Sequence, residues 1–294
     1  MLKFITTSGL KRELSGPEAI IRDVLAAVSG LYLLFAVLFY PEPILHRSIS
    51  LGFFYAIIFM SYSTPGIKKI KKIPVFDWIL SLMSLSVGIY VGLNLERIIN
   101  RVEYFDKVLT LDIIFTIITV CLLLEGTRRV IGPWLPALTI IAFAYLMFGH
   151  HIPGKFGHMK ETIPSISDAL FLASGGIWGS TMGIATGKIM IFILFGTMFR
   201  FTGAGDFLFD FVTKITGSLK GGIAKVAIVS SALFGMVSGG PLTNATTTGA
   251  MTIPMMKKNG YSKEYSACVE SCASVGGIFM PPIMGAVALV TTCP

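Results

Sequence analysis

Residues 238–249 read "SGGPLTNATTTG", a stretch dominated by glycine, threonine and serine, and it lies between two apolar runs, 226–237 before it and 250–256 after it. Each flanking run is too short to cross a bilayer, which takes about 20 predominantly apolar residues. Lys220 and Lys225 stand ahead of the pair of runs, and Lys257, Lys258 and Lys263 follow it. Both ends therefore prefer the same, cytoplasmic face of a membrane. A chain that enters and leaves on one side has not crossed. The pattern predicts a re-entrant helical hairpin over 223–256, with 238–249 as an unwound tip at membrane depth. Unwound amide and carbonyl groups facing lipid cost several kcal/mol apiece, so such a tip has to be enclosed by protein or line a water-filled cavity.

Composition supports a membrane setting for this hairpin. Of the 294 residues, 53% are hydrophobic and 14% charged, a balance that a solvated domain surface hardly reaches. The formal charge of +8 comes in short clusters between apolar stretches rather than along one face, which argues for loop orientation and against nucleic acid. The expected fold is an all-α integral membrane protein, a polytopic helical bundle. Spans are predicted near 24–40, 49–62, 75–93, 108–124, 133–148 and 182–201. No small-residue cleavage pattern ends the first of them, so it is expected to stay as an anchor. Lys3, Lys11 and Arg12, then Lys68 to Lys72, then Arg128 and Arg129 mark cytoplasmic segments and place the N-terminus inside.

Between the spans, 165–180 is expected to be a short interfacial helix capped by Ser165 or Ser167. Phe207, Leu208, Phe211, Val212 and Ile215 repeat at three- and four-residue spacings within 203–222, the signature of an amphipathic helix along the cytoplasmic surface. Asp112 and Lys188 fall in first helical turns and are expected to snorkel to the interface. Asp112 has the alternative of contacting a transport domain. His150, His151 and His158 lack accompanying acidic or cysteine ligands and read as an interfacial loop. Cys121, Cys268, Cys272 and Cys293 show no metal or disulfide spacing and read as small packing residues.

The hairpin tip has the chemistry of a binding site. Gly239, Gly240 and Gly249 permit close backbone approach, and Ser238, Thr243, Asn244, Thr246, Thr247 and Thr248 supply hydroxyl and amide groups. A helix restarting near Asn244 would aim its N-terminal amides at a carboxylate, and side-chain and carbonyl oxygens suit a sodium ion. A second interruption follows at Gly276–Gly277 and Pro281–Pro282, where two prolines remove donors from a helical pattern. Two neighbouring broken elements point to a midplane substrate site in a secondary transporter. Scattered serines and threonines can instead serve as helix-packing glue, but that explains a contiguous Gly- and Pro-containing run poorly. Glu270, one turn before Ser274, belongs either near this site or in a structural hydrogen bond. No nucleophile–base pair, metal cluster or charged ring marks an enzyme or a channel.

"SALFGMVSGGPLTNATTTGAMTIPMMKKNGY" followed by "ESCASVGGIFMPPIMGA" resembles the large membrane subunit of tripartite ATP-independent periplasmic (TRAP) transporters. With "EGTRRVIGPWLPALTIIAFAYLMFG" upstream, it is similar to the fused type, in which a four-helix small subunit is continuous with the large one. The resemblance implies an elevator-type, inverted-repeat secondary transporter of the inner membrane. It would be sodium-driven, and would take organic anions such as C4-dicarboxylates from a periplasmic binding protein of the TAXI type. Residues 1–130 would be the small-subunit-like region and 131–294 the first half of the transport region, with the hairpin at 223–256 and the broken helix at 261–294. Ser238, Gly239, Asn244, Thr247, Thr248, Gly249, Ser274, Pro281 and Pro282 would meet the substrate. Gly239, Asn244, Gly276 and Gly277 would hold the sodium ion, the one cofactor-like ligand expected.

The sequence also departs from the pattern it resembles. Gly240–Pro241 stands where Ser-Ala is usual, and Val275 and Ile278 stand where Thr and Gln are usual, so several polar ligands are replaced. One hairpin is present where the architecture needs two, and the chain is expected to be truncated. The rival to a transporter is accordingly a scaffold that inserts and packs without transporting.

Overall fold

The computed structural model describes residues 9–64, 72–103, 105–153, 157–190, 194, 202–216, 221–238 and 241–276. Among them the regular structure is helical, with one isolated β-bridge between Lys11 and Tyr62. The chain divides into two compact units, Met1–Thr186 and Gly187–Pro294.

The first unit contains α1 (Pro17–Phe39), α2 (Pro43–Ser61), α3 (Val75–Leu93), the short α4 (Leu95–Ile99), α5 (Thr110–Val130) and α6 (Trp134–Phe148). Helices α1, α2, α3 and α5, and the stretch Trp134–His151, are each long and apolar enough to cross a membrane. The polytopic all-α membrane fold expected from composition is therefore present. Helices α1 and α2 begin several residues before their apolar runs, because Pro17 and Pro43 occupy first-turn positions where a missing N–H costs nothing.

The seam between α2 and α3 is made of small residues. A side chain added at Gly52 would put its Cβ 2.8 Å from the Ser84 carbonyl oxygen, and one at Gly88 would lie 3.1 Å from the Ile49 Cα. Ser48, Ser81 and Ser84 are buried beside them. The Ser48 and Ser84 hydroxyls donate to the Leu45 and Leu80 carbonyls of their own helices, at 3.0 and 2.8 Å. Close backbone approach of this kind replaces the hydrophobic drive that helices lack in lipid.

Around this seam Leu51, Phe59, Val87, Val91 and Leu122 form a core with Phe171 and Trp178. The latter two belong to the segment expected at the interface. Its helix is α7 (Ile163–Ser167), followed by a π-helical turn at Asp168–Leu172, and its cap is Thr162, whose hydroxyl accepts from the Ser165 amide at 3.3 Å. Neither Ser165 nor Ser167 caps it. Phe171 and Trp178 are fully buried, Trp178 Nε1 donates to the Phe171 carbonyl at 2.6 Å, and Arg47 donates to the Trp178 carbonyl. Burying two large aromatic rings outweighs leaving them at a headgroup surface.

Charges inside this unit are paired. Asp112 does not snorkel: it is 0% exposed, receives Arg97 at 2.5 and 3.0 Å and the Tyr90 hydroxyl at 2.5 Å, and bonds the Leu109 amide at 2.9 Å. The hydrogen bond to Asp112 pushes the Arg97 guanidinium above its usual pKa. Arg101 clamps Asp168 at 2.7 and 3.0 Å. Asp77 lies between Arg12 and Arg129, the latter 2.8 Å away, and Arg129 reaches Glu125 at 2.7 Å while lying over the Phe59 ring. Arg12 and Arg129, which mark loops in the sequence, are thus buried network members. On the 157–159 stretch, the two ring nitrogens of His158 face the Met159 and Tyr145 carbonyls at 2.7 and 3.0 Å. Both carbonyls only accept, so the doubly protonated ring satisfies both, and they raise its pKa above the usual histidine value.

Of the span expected over 182–201, the described part is α8 (Ser180–Gly183), a π-helical stretch at Ile184–Ile189 and residues 190 and 194, and the Lys188 side chain lies outside the described residues. The second unit then has α9 (Ala204–Thr216), α10 (Gly222–Ser238), α11 (Pro241–Lys258) and α12 (Lys263–Gly276). Helix α9 exposes Phe207, Phe211 and Ile215, buries Val212 and packs on α10.

Gly52→Ala is expected to destabilise the first unit by about 1–3 kcal/mol, because the new methyl meets backbone that cannot swing away. Thermal unfolding in detergent micelles measures this, and an unchanged midpoint would contradict the tight α2–α3 seam.

Candidate functional site

Helices α10, α11 and α12 pack pairwise on one another, and each presents one polar stripe to the others. On α11 the stripe is Asn244, Thr248 and Thr252, spaced four apart and therefore stacked on one face. Glu270 and Ser274 do the same on α12, and Ser231 faces them from α10 between buried Ala227 and Phe234. Placing these stripes inward leaves apolar residues for the outside. Ile228, Val229, Met251 and Val275 are exposed.

At the centre is the Glu270 carboxylate, 2% exposed. Its Oε1 accepts from the hydroxyls of Ser231 at 3.1 Å, Ser274 at 3.0 Å and Thr248, and its Oε2 accepts from Thr252 at 2.5 Å. Thr248 and Thr252 also lie 2.9 and 3.0 Å from the Asn244 and Thr248 carbonyls of their own helix. Asn244 Nδ2 donates to the Ser231 carbonyl at 2.8 Å and reaches the Ser274 carbonyl at 3.4 Å, tying all three helices. The Asn244 side-chain oxygen is buried without a partner among the described residues. Gly249 permits this packing, since a Cβ there would stand 3.2 Å from the Glu270 Cγ.

The extent of the expected tip needs correction. Pro241 starts α11, so 241–249 is helical, leaving 239–240 between the two helices outside the described residues. The arms are 17 and 18 residues long, about 26 Å at 1.5 Å per residue, and not the short arms the apolar runs imply. Proline at a helix start sets φ for the first turn. Within the helix, the Thr248 and Thr252 hydroxyls fold back towards carbonyls four residues earlier and face inward, so the polar run does not break the helix.

Of the substrate-site residues read from the sequence, Asn244, Thr248, Gly249 and Ser274 come together around Glu270. Ser238 ends α10 and Thr247 lies in α11, with side chains outside the described residues, as are Gly239, Pro281 and Pro282 entirely. Of the sodium-site residues, Asn244 is in the cluster, Gly276 ends α12, and Gly239 and Gly277 lie outside the described residues. Ser231 and Thr252 were missed. Thr252 carried a signal, since it falls on the α11 face already marked by Asn244 and Thr248; Ser231 stands on α10, which carries neither Thr248 nor Glu270, in an otherwise apolar stretch.

Residues 117–293, more than half of the chain, match the family described as "Tripartite ATP-independent periplasmic transporter, DctM component". The chain belongs to this TRAP family. Among curated TRAP proteins it is 30% identical over 125 residues to the C4-dicarboxylate TRAP transporter large permease protein DctM of Vibrio cholerae serotype O1, covering 42% of this chain and 26% of that one. It is 31% identical over 113 residues to the protein of the same name from Rhodobacter capsulatus, covering 36% and 26%. Over 94 residues it is 31% identical to the isethionate TRAP transporter permease protein DctMQ of Oleidesulfovibrio alaskensis, covering 32% and 15%. The chain thus spans about a quarter of the length of the first curated relatives it matches. No solved structure matches it. These TRAP relatives are permease components, not enzymes.

Replacing Thr248 by the near-isosteric valine removes the hydroxyl that touches Ser231, the Asn244 carbonyl and Glu270. The expected loss is about 1–3 kcal/mol of stability, the cost of leaving buried polar partners unanswered. Denaturant unfolding of the micelle-bound protein reads this, and a loss no larger than that of Thr139→Val, where the partly exposed hydroxyl bonds a carbonyl of its own helix, would contradict the geometry.

Proposed function

We propose that this chain is part of the permease of a TRAP-type secondary transporter in a bacterial inner membrane, with its N-terminus in the cytoplasm. It imports organic acids of the C4-dicarboxylate kind, delivered by a periplasmic binding protein of the TAXI type, and an ion gradient drives the import. The observation that carries this reading is the family match across α10, α11 and α12, whose facing stripes place polar groups in the interior of an apolar unit. Residues 1–130 act as the fused small-subunit part and brace a static scaffold, while 131–294 begins the moving part. Helices α10 and α11 form the re-entrant hairpin. Asn244 fits a sodium site, since its side-chain oxygen is buried and unpartnered among the described residues, a hard donor of the kind a sodium ion takes. A bound sodium ion would supply the charge that balances an anionic substrate.

Two measurements test this reading. In a background without native cysteines, Lys225→Cys and Lys258→Cys should both react with a membrane-impermeant reagent from the cytoplasmic face. Labelling from opposite faces would remove the hairpin. Reconstituted with its binding protein, the complete permease of which this chain is part should take up a labelled C4-dicarboxylate only when a sodium or proton gradient is imposed. Asn244→Ala should slow that uptake by about tenfold, the equivalent of one buried hydrogen bond. Uptake indifferent to both gradients would contradict secondary transport, and no uptake at all is what the scaffold alternative predicts.

A further inference from the structure

Glu270 differs from the buried aspartates of the same chain. Asp77, Asp112 and Asp168 are each met by at least one arginine, whereas every described partner of the Glu270 carboxylate is a neutral hydroxyl. The charged side chains of the helices around it, Lys225 on α10, Lys257 and Lys258 on α11, and Lys263 and Glu264 on α12, are exposed, and none is a described partner of Glu270. On α9, which packs on α10, Asp210 and Lys214 are exposed too. Cys268 and Cys272 of α12 are exposed and line an outer groove that does not include Glu270. Charge balance at this carboxylate is therefore left to something that is not a side chain of the described residues.

The hydroxyls indicate what that is. Each carries one hydrogen and two lone pairs. Thr248 and Thr252 each stand within hydrogen-bond reach of both a Glu270 oxygen and a carbonyl of α11. With Glu270 ionised, both hydroxyls donate to the carboxylate. With Glu270 protonated, its own O–H donates to the Thr252 oxygen, and the Thr252 hydrogen turns to the Thr248 carbonyl. Both states are fully hydrogen-bonded with no movement of heavy atoms. A metal ion has no comparable place: hydroxyl oxygens of Ser231, Thr252 and Ser274 already stand 2.5 to 3.1 Å from the carboxylate oxygens, with Thr248 beside them.

We propose that Glu270, with Ser231, Thr248, Thr252 and Ser274, is a proton-binding site: the carboxylate takes one proton from water to become the acid and returns it, with no other bond made or broken. The proposal deepens the permease reading, resting on it only where this proton is assigned to coupling. The site itself is tested without transport.

The experiment is pH-difference infrared spectroscopy of the purified full chain in lipid nanodiscs. Lowering the pH should bring up a protonated-carboxyl stretching band that shifts on exchange into heavy water. The band should vanish in Glu270→Gln, persist in the exposed control Glu264→Gln, and move in frequency in Thr252→Val, which removes the acceptor of the acid proton. A purely structural Glu270 would give none of these changes. No band removed by Glu270→Gln across the pH range in which the helices persist would overturn the proposal. Where Glu270→Gln does not fold, a band unmoved by Thr252→Val would overturn it instead. Failure of uptake with the band intact would count against the transporter reading alone.

Discussion

In hydrocarbon, a polar group not answered by another protein group has no water to turn to, and this constraint organises the whole chain. It explains why the Ser48 and Ser84 hydroxyls bond back to their own helices, and why Asp112 collects an arginine, a tyrosine hydroxyl and an amide. It also explains why three polar stripes on α10, α11 and α12 face each other. Turned outward, together they would present hydroxyls, an amide and a carboxylate to lipid.

Two solutions to that constraint divide the molecule. The first unit uses charge against charge, arginine with aspartate or glutamate, at Asp77, Asp112 and Asp168. Such pairs are costly to bury and costly to break, which suits a part that holds one arrangement. Among its described residues, the interior of the second unit uses hydroxyls around the carboxylate of Glu270. Hydroxyls donate or accept by rotating, so this interior tolerates a change of charge that an arginine pair would resist.

Sequence patterning reached the spans well because length and hydropathy are local properties. Helix α3 coincides with its expected limits, and α1, α2, α5 and α6 lie over theirs, with proline setting the two earliest starts. It failed over 165–180, where a segment that looks interfacial buries Phe171 and Trp178, and over 241–249, where polar residues that look like a loop are helical. Both misreadings have one cause: composition reports what a residue is, and says nothing of which neighbour awaits it. Asn244, Thr248 and Ser274, which join the buried polar cluster, stood out in the sequence because they sit in unusual company. Ser231 looked like an ordinary small residue in a greasy helix.

By itself the sequence determined that the chain is helical, membrane-spanning and a TRAP family member, because period, length, positive flanks and motif are all written along the chain. Only the tertiary structure decided that Glu270 is enclosed by hydroxyls while the aspartates are matched with arginines. Partners up to 39 residues away in the second unit, and further in the first, have no spacing from which their meeting can be read. Contacts between helices are made by packing, and packing is settled by the fit of all the faces at once.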